Sequence, residues 1–278
     1  MKYVLYNPIS CNGEGRQHAI EFEKSLKGEV SFHDMTSISS YLELFSGVGE
    51  DDEIIICGGD GTLNRFINDT DGIDLNCAVY YYPMGTGNDF YADIKGYSDE
   101  LPVRIDGYIK NLPTVTVKGK TYRFLNGVGY GIDGYCCEVG DKLHAQGKPA
   151  NYTAIAIKGL LFHYKPTAAT VIVDGKEYSY KKVWIAPTMH GRKYGGGMIP
   201  TPAQSRNSGE LSVMVFHDSS KLRTLMIFPS IFKGEHIKKE KFVTVFTGKS
   251  ITVRFDSPRA LQIDGETILD VEEYTASI

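Results

Sequence analysis

The sequence predicts an α/β protein that combines a doubly wound, Rossmann-like domain with a second, mainly antiparallel β-sandwich domain. In the first half, short apolar runs end in glycine-rich turns that precede helical spacing, as the strands of a parallel sheet do. After Pro113, apolar and polar residues alternate with period two, which is typical of antiparallel hairpins. With 278 residues, 42% of them hydrophobic, the chain is long enough for two cores.

The change of pattern at Pro113 sets the domain boundaries. We expect a first domain of residues 1–112 and a second domain of residues 113–267. Whether the C-terminal tail, about residues 268–278, returns to the first domain is left open. Because ligand sites commonly form between domains, we expect the active site in the interdomain cleft.

Composition and charge exclude several classes of protein. The 30 basic and 34 acidic residues nearly balance, so no broad cationic face is expected to bind nucleic acid. The five cysteines lack C-x-x-C spacing and are expected to be reduced thiols in a cytosol. No signal-peptide pattern and no apolar run of roughly 18 residues is present, so we predict a cytoplasmic protein without a transmembrane segment.

The first strand is predicted over Tyr3 to Tyr6, and the polar loop Asn7 to Gly15 leads into a helix over about residues 17–26. A second strand is predicted near Val30 to His33. Asn7 and Ser10 lie in a loop at the carboxyl end of a strand, where doubly wound folds bind their ligands. An ordinary strand-to-helix connection is the alternative interpretation of this loop.

The apolar run Ile54 to Cys57 ends in the turn Gly58-Gly59-Asp60-Gly61-Thr62-Leu63-Asn64, where a helix begins. Glycines let amide N–H groups approach an anion at the positive end of the helix, so phosphate is the expected ligand. Asp60 would repel a phosphate unless a divalent cation, usually magnesium, lay between them. The alternative for Asp60 is structural, as a capping acceptor for the N–H groups of the first helical turn.

A further strand, Cys77 to Tyr82, ends in Pro83-Met84-Gly85-Thr86-Gly87-Asn88-Asp89-Phe90. Three such turns at strand ends are what a doubly wound sheet offers to a nucleotide. The sequence has no G-x-G-x-x-G, and Gly248-Lys249-Ser250 fails as a P-loop because Val243 stands where glycine is needed. We therefore expect neither a dinucleotide fold nor a Walker-type ATPase.

The second domain is predicted from a series of hairpins, with helices near residues 135–143 and 152–164. Two of its acidic residues follow glycine-rich or strand segments. From the pattern alone, Asp133 is interpreted as a helix cap and Asp264, which precedes Gly265, as part of a hairpin turn. Neither residue identifies a site without further support.

Four segments together resemble the soluble bacterial diacylglycerol kinase and lipid kinase family over nearly the whole chain. They are Gly59 to Asn64, Gly85 to Phe90, Asn126 to Asp133 and Asp264-Gly265-Glu266. That family includes the sphingosine kinases and shares its nucleotide domain with the NAD kinases. The first turn alone does not separate these groups, but Gly-Thr-Gly-Asn-Asp together with a late Asp-Gly-Glu points to the lipid branch.

The resemblance implies an ATP- and Mg²⁺-dependent kinase that transfers the γ-phosphate of ATP to a hydroxyl of diacylglycerol or a related lipid, giving phosphatidic acid or its equivalent. It implies that ATP is bound by Asn7, Ser10, Thr36, Gly58, Gly59, Asp60, Gly61, Thr62, Asn64, Gly85 and Thr86. Asn88 and Asp89 would contact the substrate. Asp60, Asp133 and Asp264 would surround the magnesium, and either Asp264 or Glu266 would take the proton of the lipid hydroxyl.

One segment departs from the family pattern. Relatives often hold a structural magnesium near an Asp-Gly-Leu segment, and Ser208 stands where that aspartate is expected. Loss of a charged oxygen ligand weakens such a site, so we do not predict this second metal. Two alternative functions remain open, a soluble kinase that resembles NAD kinase and a sensor that binds nucleotide or lipid without turnover.

A lipid acceptor implies contact with a membrane surface, and the protein is expected to be peripheral on the inner face of the membrane. The lysine-containing segment Ile231 to Phe242 is the candidate for this contact, with a solvated helix end as the favoured alternative. The apolar helix predicted over 152–164 is interpreted as core rather than as a lipid pocket. A homodimer is left open.

Overall fold

The computed structural model describes residues 1–85, 87–95 and 100–278. Within it the chain forms two compact units, Met1–Leu112 and Pro113–Ile278. The division falls at the change of sequence pattern before Pro113. The first unit is an α/β structure and the second is mainly β, and each has its own buried apolar cluster.

The first unit contains a five-stranded sheet with helices in its connections. Its elements are β1 (Lys2–Tyr6), α1 (Ser10–Gly13), α2 (Gly15–Glu23), β2 (Val30–Asp34), α3 (Tyr41–Leu44), β3 (Glu53–Gly58), α4 (Asp60–Asp69), β4 (Ala78–Pro83), α5 (Asp89–Ile94), β5 (Val103–Arg104) and α6 (Asp106–Ile109). The strand order is β2-β1-β3-β4-β5, and only β5 runs antiparallel to its neighbour. The apolar run of β3 is buried at the centre of this sheet, as its composition predicts.

The order of these strands places several loops at one edge. β1 lies between β2 and β3, so the chain adds β2 on one side of β1 and then crosses over to add β3 on the other side. The register pairs Tyr6 with both Asp34 and Cys57, and Gly58 with Pro83. The loops that follow these residues therefore share the carboxyl edge of the sheet, which is where doubly wound folds bind ligands.

The second unit is built mainly from antiparallel strands. Its elements are β6 (Thr114–Val117), β7 (Lys120–Arg123), β8 (Gly127–Tyr130), α7 (Ile132–Ala145), α8 (Tyr152–Lys158), β9 (Thr167–Val173), β10 (Lys176–Ile185), β11 (Thr188–Met189), β12 (Leu211–His217), α9 (Lys221–Ile227), β13 (Val243–Gly248), β14 (Ser250–Ile263) and β15 (Glu266–Ser277). A π-helical turn, Gly159–His163, extends α8, and 3₁₀ helices cover Phe228–Lys233 and Glu235–Lys238. The expected helix over 152–164 thus changes its winding halfway.

The strands of the second unit follow the order β7-β6-β15-β14-β8-β11-β12-β10-β9, and β9 also pairs with β14. β14 makes this closure possible because its first half pairs with β9 and its last residues pair with β8. The pairing between β14 and β15 shifts register between Arg254 and Leu261, where Pro258 cannot donate to the ladder. This shift lets one strand serve both sides of the unit.

The C-terminal tail stays in the second unit. β15 pairs with β14 along most of its length and with β6 at its end, where Tyr274 faces Val117. The open alternative that residues 268–278 return to the first unit is therefore wrong, because both edges of this strand are paired within the second sheet. No helix in the described parts of the chain is both long and apolar enough to span a membrane.

Candidate active site

Two glycine turns of the first unit are joined by Asp60. This residue opens α4, and its carboxylate accepts hydrogen bonds from the backbone N–H groups of Asp89 (2.7 Å) and Phe90 (3.1 Å). These N–H groups belong to the first turn of α5, which has no helical partner for them. Asp60 thus caps a helix, as the structural alternative proposed, but the capped helix is α5 and not its own.

The same two turns touch through their backbones. A Cβ atom at Gly85 would lie 2.6 Å from the Cα atom of Gly59, so a side chain at Gly85 would separate the turns. The hydroxyl of Tyr81 donates to the carbonyl of Gly58 at 3.0 Å, and the Asn88 amide donates to the Gly85 carbonyl at 2.8 Å. Sequence reasoning missed Tyr81, whose only signal is a polar atom within a buried strand.

The first loop is attached to the turn that carries Asp60. The Asn7 amide nitrogen donates to Thr62 Oγ1 at 3.3 Å, and the Ser10 hydroxyl donates to the Asn7 carbonyl at 2.7 Å. Gly15 is needed because a Cβ atom there would overlap the Asn7 carbonyl and the Ser10 hydroxyl. The structure therefore brings the loops that carry Asn7, Asp60 and Asn88 together at one sheet edge.

The remaining residues predicted to contact ATP differ in their hydrogen bonding and in their exposure. Thr36 lies after β2, where its N–H and hydroxyl both bind Asp34 Oδ1. The side chains of Thr62 and Asn64 are buried, with exposures of 5% and 6%, so contact with a ligand would come from their backbone. Gly61 is different, since among the described residues no heavy atom outside its neighbouring residues and its own helix backbone lies within 4 Å of the position its Cβ would take. The prediction for Thr86 lies outside the described residues.

In the second unit, Asp133 is buried at the start of α7. Its Oδ2 accepts a hydrogen bond from Gln262 Nε2 at 2.8 Å, and a Cβ atom at Gly129 would overlap this carboxylate. Burial raises the pKa of Asp133 to about 6, while the hydrogen bond from Gln262 opposes the rise. Asp133 is thus a carboxyl group poised to change charge near neutral pH, a property that often marks functional sites.

Asp264 forms a hairpin turn between β14 and β15, as its sequence pattern predicts. Asp264 and Gly265 both have positive φ angles, +47° and +103°, which this two-residue turn requires. The Asp264 carboxylate also accepts three backbone N–H groups, from Leu125 (2.5 Å), Asn126 (2.8 Å) and Gly127 (2.9 Å). It therefore holds the connection before β8 as well as the turn.

Two residues that sequence reasoning missed complete this network. Gln262 donates to Asp133 and accepts the N–H of Gly265 at 2.7 Å, so it connects the two predicted acidic positions. Arg206 donates to the Leu125 carbonyl (2.5 Å) and to Asn126 Oδ1 (2.6 Å). Gln262 precedes Asp264 by two residues on a predicted strand, which was the available signal; nothing in the sequence around Arg206 indicates its partners.

Glu266 contrasts with Asp264. It is exposed at the start of β15, whereas Asp264 is 9% exposed. The pKa of Cys137 on α7 is raised chiefly by burial and then by nearby carboxylates, which include Asp133 and Glu266. Glu266 faces Ile263, which also pairs with Val128 of β8, and the Glu266 side chain is exposed to solvent.

The segment around Ser208 is closed by protein hydrogen bonds. The Ser208 hydroxyl lies 2.8 Å from the Ser205 carbonyl and 3.1 Å from the Glu210 carbonyl, and the Gln204 amide donates to the Glu210 carbonyl at 2.8 Å. A cation at this position would need these carbonyl oxygens as ligands. The residues present supply hydrogen-bond donors to them instead, so this segment does not fit a structural magnesium.

The predicted magnesium ligands belong to different units, Asp60 to the first and Asp133 and Asp264 to the second. In residues 1–85, 87–95 and 100–278, no group of three or more His, Cys, Asp or Glu side chains is arranged to hold a metal ion. Carboxylate oxygens are the kind of ligand that magnesium prefers, and the joint role of the three aspartates stays a prediction.

Comparison with protein-family models assigns both units. Residues 2–117 match the diacylglycerol kinase catalytic domain, and residues 126–275 match the YegS C-terminal NAD kinase beta sandwich-like domain. Together the two models cover nearly the whole chain, in the order that the sequence motifs indicate.

Individual relatives agree with this assignment. The chain is 25% identical to a diacylglycerol kinase of Bacillus subtilis over 279 residues, which cover 95% of this chain and 88% of that protein. It is also 25% identical to a diacylglycerol kinase of Mycobacterium tuberculosis over 215 residues, covering 74% of this chain and 67% of that protein. A diacylglycerol kinase crystal structure from Bacillus anthracis has the same fold, with a TM-score of 0.63 at 16% identity, covering 99% of this chain and 93% of that chain.

Proposed function

Because the chain belongs to the diacylglycerol kinase and lipid kinase family, we propose that it transfers the γ-phosphate of ATP to a hydroxyl of diacylglycerol or a related lipid. The product is phosphatidic acid or the equivalent phosphorylated lipid. One observation carries this proposal, the joining of two glycine turns by Asp60 at the carboxyl edge of a parallel sheet. Such an edge presents backbone N–H groups to phosphate, and phosphoryl transfer depends mainly on positioning and on charge stabilisation.

The nucleotide phosphates bind along the first turn of α4 in this proposal. Gly61 supports this placement because the space above its Cα is open, so a phosphate oxygen can approach the backbone. Asn7 and Ser10 form the neighbouring wall, held in place through the hydrogen bond from Asn7 to Thr62. Gly85 and Asn88 form the opposite wall, and Thr36 lies toward the nucleoside.

Asp60, Asp133 and Asp264 would supply carboxylate oxygens to magnesium, as the resemblance implies. The bound ion supplies neutralisation of the charge on the phosphates. Asp133 suits this role when ionised, and burial without a cation keeps its pKa near 6. Asp264 orders the connection before β8 through three N–H groups, so it contributes structure in addition to any ligand oxygen.

We assign the proton acceptor to Glu266. The oxygens of Asp264 already accept three backbone N–H groups, whereas Glu266 is exposed on the adjacent strand. The Glu266 carboxylate takes the proton of the lipid hydroxyl as that oxygen bonds to the γ-phosphorus, and ADP leaves. A general base typically contributes about 10²–10⁴-fold, so Glu266→Gln should lower turnover by about that factor.

Glu272→Gln is the matched control, since Glu272 is an exposed glutamate on the same strand. It should retain wild-type turnover, and both variants should retain the wild-type melting temperature. Full activity of Glu266→Gln would transfer the role of base to Asp264.

The experiment that tests the proposed function is an assay with labelled ATP against mixed micelles of diacylglycerol, phosphatidylglycerol, ceramide and sphingosine. NAD and fructose 6-phosphate serve as soluble acceptors. We expect label in a lipid product, dependent on magnesium and lost in Asp60→Asn. Label on NAD alone would replace the lipid kinase proposal by an NAD kinase, and label on no acceptor would leave a binding protein without turnover.

A further inference from the structure

One surface of the second unit exposes an unusual amount of apolar side chain. It consists of α8 with its π-helical turn, residues 152–165, and of α9 with the following 3₁₀ helix, residues 220–234; we call it the apolar face. Of the fourteen large apolar side chains exposed in the described residues, seven lie on these two segments. They are Tyr152, Ile157, Leu161, Phe162, Leu222, Met226 and Phe232. Clustered exposed apolar residues mark surfaces that bind a protein or a membrane.

The two segments form one continuous surface. The Lys221 ammonium donates to the carbonyl of Leu161 at 2.6 Å, and α9 packs against the π-helical turn. Their inner sides, which include Leu160 and Ile227, share one buried core. One set of apolar residues on these helices is therefore buried in the core, and a second set points outward. Packing within this unit does not explain why the outward residues are apolar.

The most exposed members of the apolar face belong to both of its segments. Phe162 is 72% exposed, Leu222 69% and Met226 66%. Leu222 and Met226 are four residues apart on α9, so they share one side of that helix. The expected interpretation of the 152–164 helix as core holds for its inner side only.

The apolar face differs from the rest of the molecule in its charge. Residues 152–165 and 220–234 contain Lys158, Lys165, Lys221, Arg223 and Lys233 but no aspartate or glutamate, whereas the whole chain has a net charge of −4. A basic surface with exposed phenylalanine and leucine is typical of elements that lie in a membrane interface and attract anionic lipid headgroups. Against a second copy of itself, the same face would oppose five cations to five.

We propose that the apolar face docks the protein on an anionic lipid bilayer. The proposal rests on the proposed function, since a kinase that phosphorylates diacylglycerol must reach a substrate embedded in a bilayer. Phe162, Leu222 and Met226 enter the headgroup and acyl boundary, while the lysine ammonium groups remain at the headgroups on their flexible stems.

The segment Ile231 to Phe242, the earlier candidate for membrane contact, differs in both respects. Its lysines alternate with Glu235 and Glu240. Ile231 is buried, and the Phe242 ring is covered by the Arg223 guanidinium at 4.8 Å. Apart from Phe232, which belongs to the apolar face, this segment therefore offers charge without exposed apolar side chains.

The test compares two substitutions of the same kind at equally exposed leucines. Leu222→Glu alters the apolar face, and Leu42→Glu alters a leucine of the first unit that is 68% exposed. Binding of the full-length protein to vesicles of phosphatidylcholine, with and without phosphatidylglycerol, is measured by co-sedimentation. We expect binding only to the anionic vesicles, weakened about tenfold or more by Leu222→Glu and unchanged by Leu42→Glu.

A second pair of variants tests the charge. Lys158→Gln with Lys165→Gln should weaken binding to the anionic vesicles, and Lys238→Gln with Lys239→Gln should weaken it less. Equal binding to both kinds of vesicle, or equal effects of Leu222→Glu and Leu42→Glu, would overturn the proposal. So would a dimer in sedimentation velocity that Leu222→Glu converts to monomer while vesicle binding is unchanged.

Kinase assays separate this proposal from the proposed function. Leu222→Glu should lose activity on diacylglycerol in vesicles and keep activity on a short-chain, water-soluble diacylglycerol. If the wild-type protein phosphorylates lipid in micelles but Leu222 has no effect on vesicle binding, only the docking surface fails. If binding depends on Leu222 and no lipid is phosphorylated, the docking surface stands and the kinase function fails.

Discussion

At the scale of the single residue, Asp60 carries both a structural and a proposed chemical role. Its carboxylate accepts N–H groups that lie 29 and 30 residues further along the chain. A residue with two such roles is expected to affect stability and turnover together. Substitution by an isosteric amide can distinguish the contributions, because the amide keeps one acceptor oxygen and loses the charge.

We predict that Asp60→Asn lowers the free energy of unfolding by about 1 kcal/mol, since one N–H group of α5 loses its acceptor. Turnover should fall by more than tenfold because the variant cannot hold the proposed cation, as kinase assays at limiting magnesium can measure. Asp69→Asn is the control, because Asp69 lies at the other end of α4 and pairs with the exposed Arg65 side chain. An unchanged melting temperature would contradict the capping role, and near wild-type turnover would contradict the metal role.

The raised pKa of Asp133 predicts how the free energy of unfolding depends on pH. Burial raises its pKa from the ordinary 3.8 to about 6, so between these values the folded protein holds a proton that the unfolded chain has lost. The stabilisation is complete below pH 3.8 and is lost as pH rises through about 6. The wild-type protein should therefore lose about 3 kcal/mol of unfolding free energy across this window relative to Asp133→Asn, which cannot ionise.

Urea denaturation in EDTA at a series of pH values measures this difference. The Asp133→Asn amide oxygen can still accept from Gln262, so the variant should fold. Asp141→Asn, at an exposed position of the same helix, should show the wild-type pH profile. Parallel profiles for Asp133→Asn and wild-type protein would show that Asp133 does not carry this dependence.

At the scale of the element, the first turn of α4 combines a helix start with an open backbone. Gly61 lies inside this helix without positive φ, and its Cβ position is empty. Glycine in a helix is less stable than alanine by about 1 kcal/mol. The presence of glycine at this position is therefore a cost to folding that a bound phosphate would explain.

We predict that Gly61→Ala raises the melting temperature and weakens ATP binding, because the methyl group occupies the space proposed for a phosphate oxygen. Gly107→Ala in α6 is the matched control, since its Cβ position is equally empty. It should not affect ATP binding. Calorimetric titration with ATP measures the affinity, and unaltered affinity in Gly61→Ala would move the phosphates away from this turn.

At the scale of the whole molecule, the C-terminal strand completes the second unit. Tyr274 is buried, and its hydroxyl bonds Thr188 Oγ1 at 2.8 Å while its ring meets Tyr130 edge to face. The single tryptophan, Trp184, is buried in the same unit. Its fluorescence therefore reports on the unit to which the tail belongs.

We predict that Tyr274→Ala lowers the free energy of unfolding of the second unit by about 3–5 kcal/mol, as loss of a large buried aromatic side chain does. Trp184 fluorescence follows this unfolding. Phe66→Ala, a core change in the first unit, is the comparison variant, and its unfolding is followed by far-ultraviolet circular dichroism. A Trp184 transition that Tyr274→Ala leaves in place would contradict the assignment of the tail to the second unit.

The sequence alone determined the fold class, the change of pattern at Pro113, the glycine turns and the family. These features depend on neighbouring residues: apolar runs, period-two alternation and glycines at fixed spacing act within a few positions of the chain. The same local signals correctly identified Asp264-Gly265 as a hairpin turn, because positive φ angles are a property of the turn itself.

Only the tertiary structure decided which partners the acidic residues have. The Asp264 carboxylate binds N–H groups 137 to 139 residues away, and Gln262 reaches Asp133 across 129 residues. Apolar spacing likewise predicted helices over 152–164 without separating inner Leu160 from outer Phe162. Hydrogen bonds across long separations and the exposure of one helical side depend on how distant segments pack, and no local pattern records that packing.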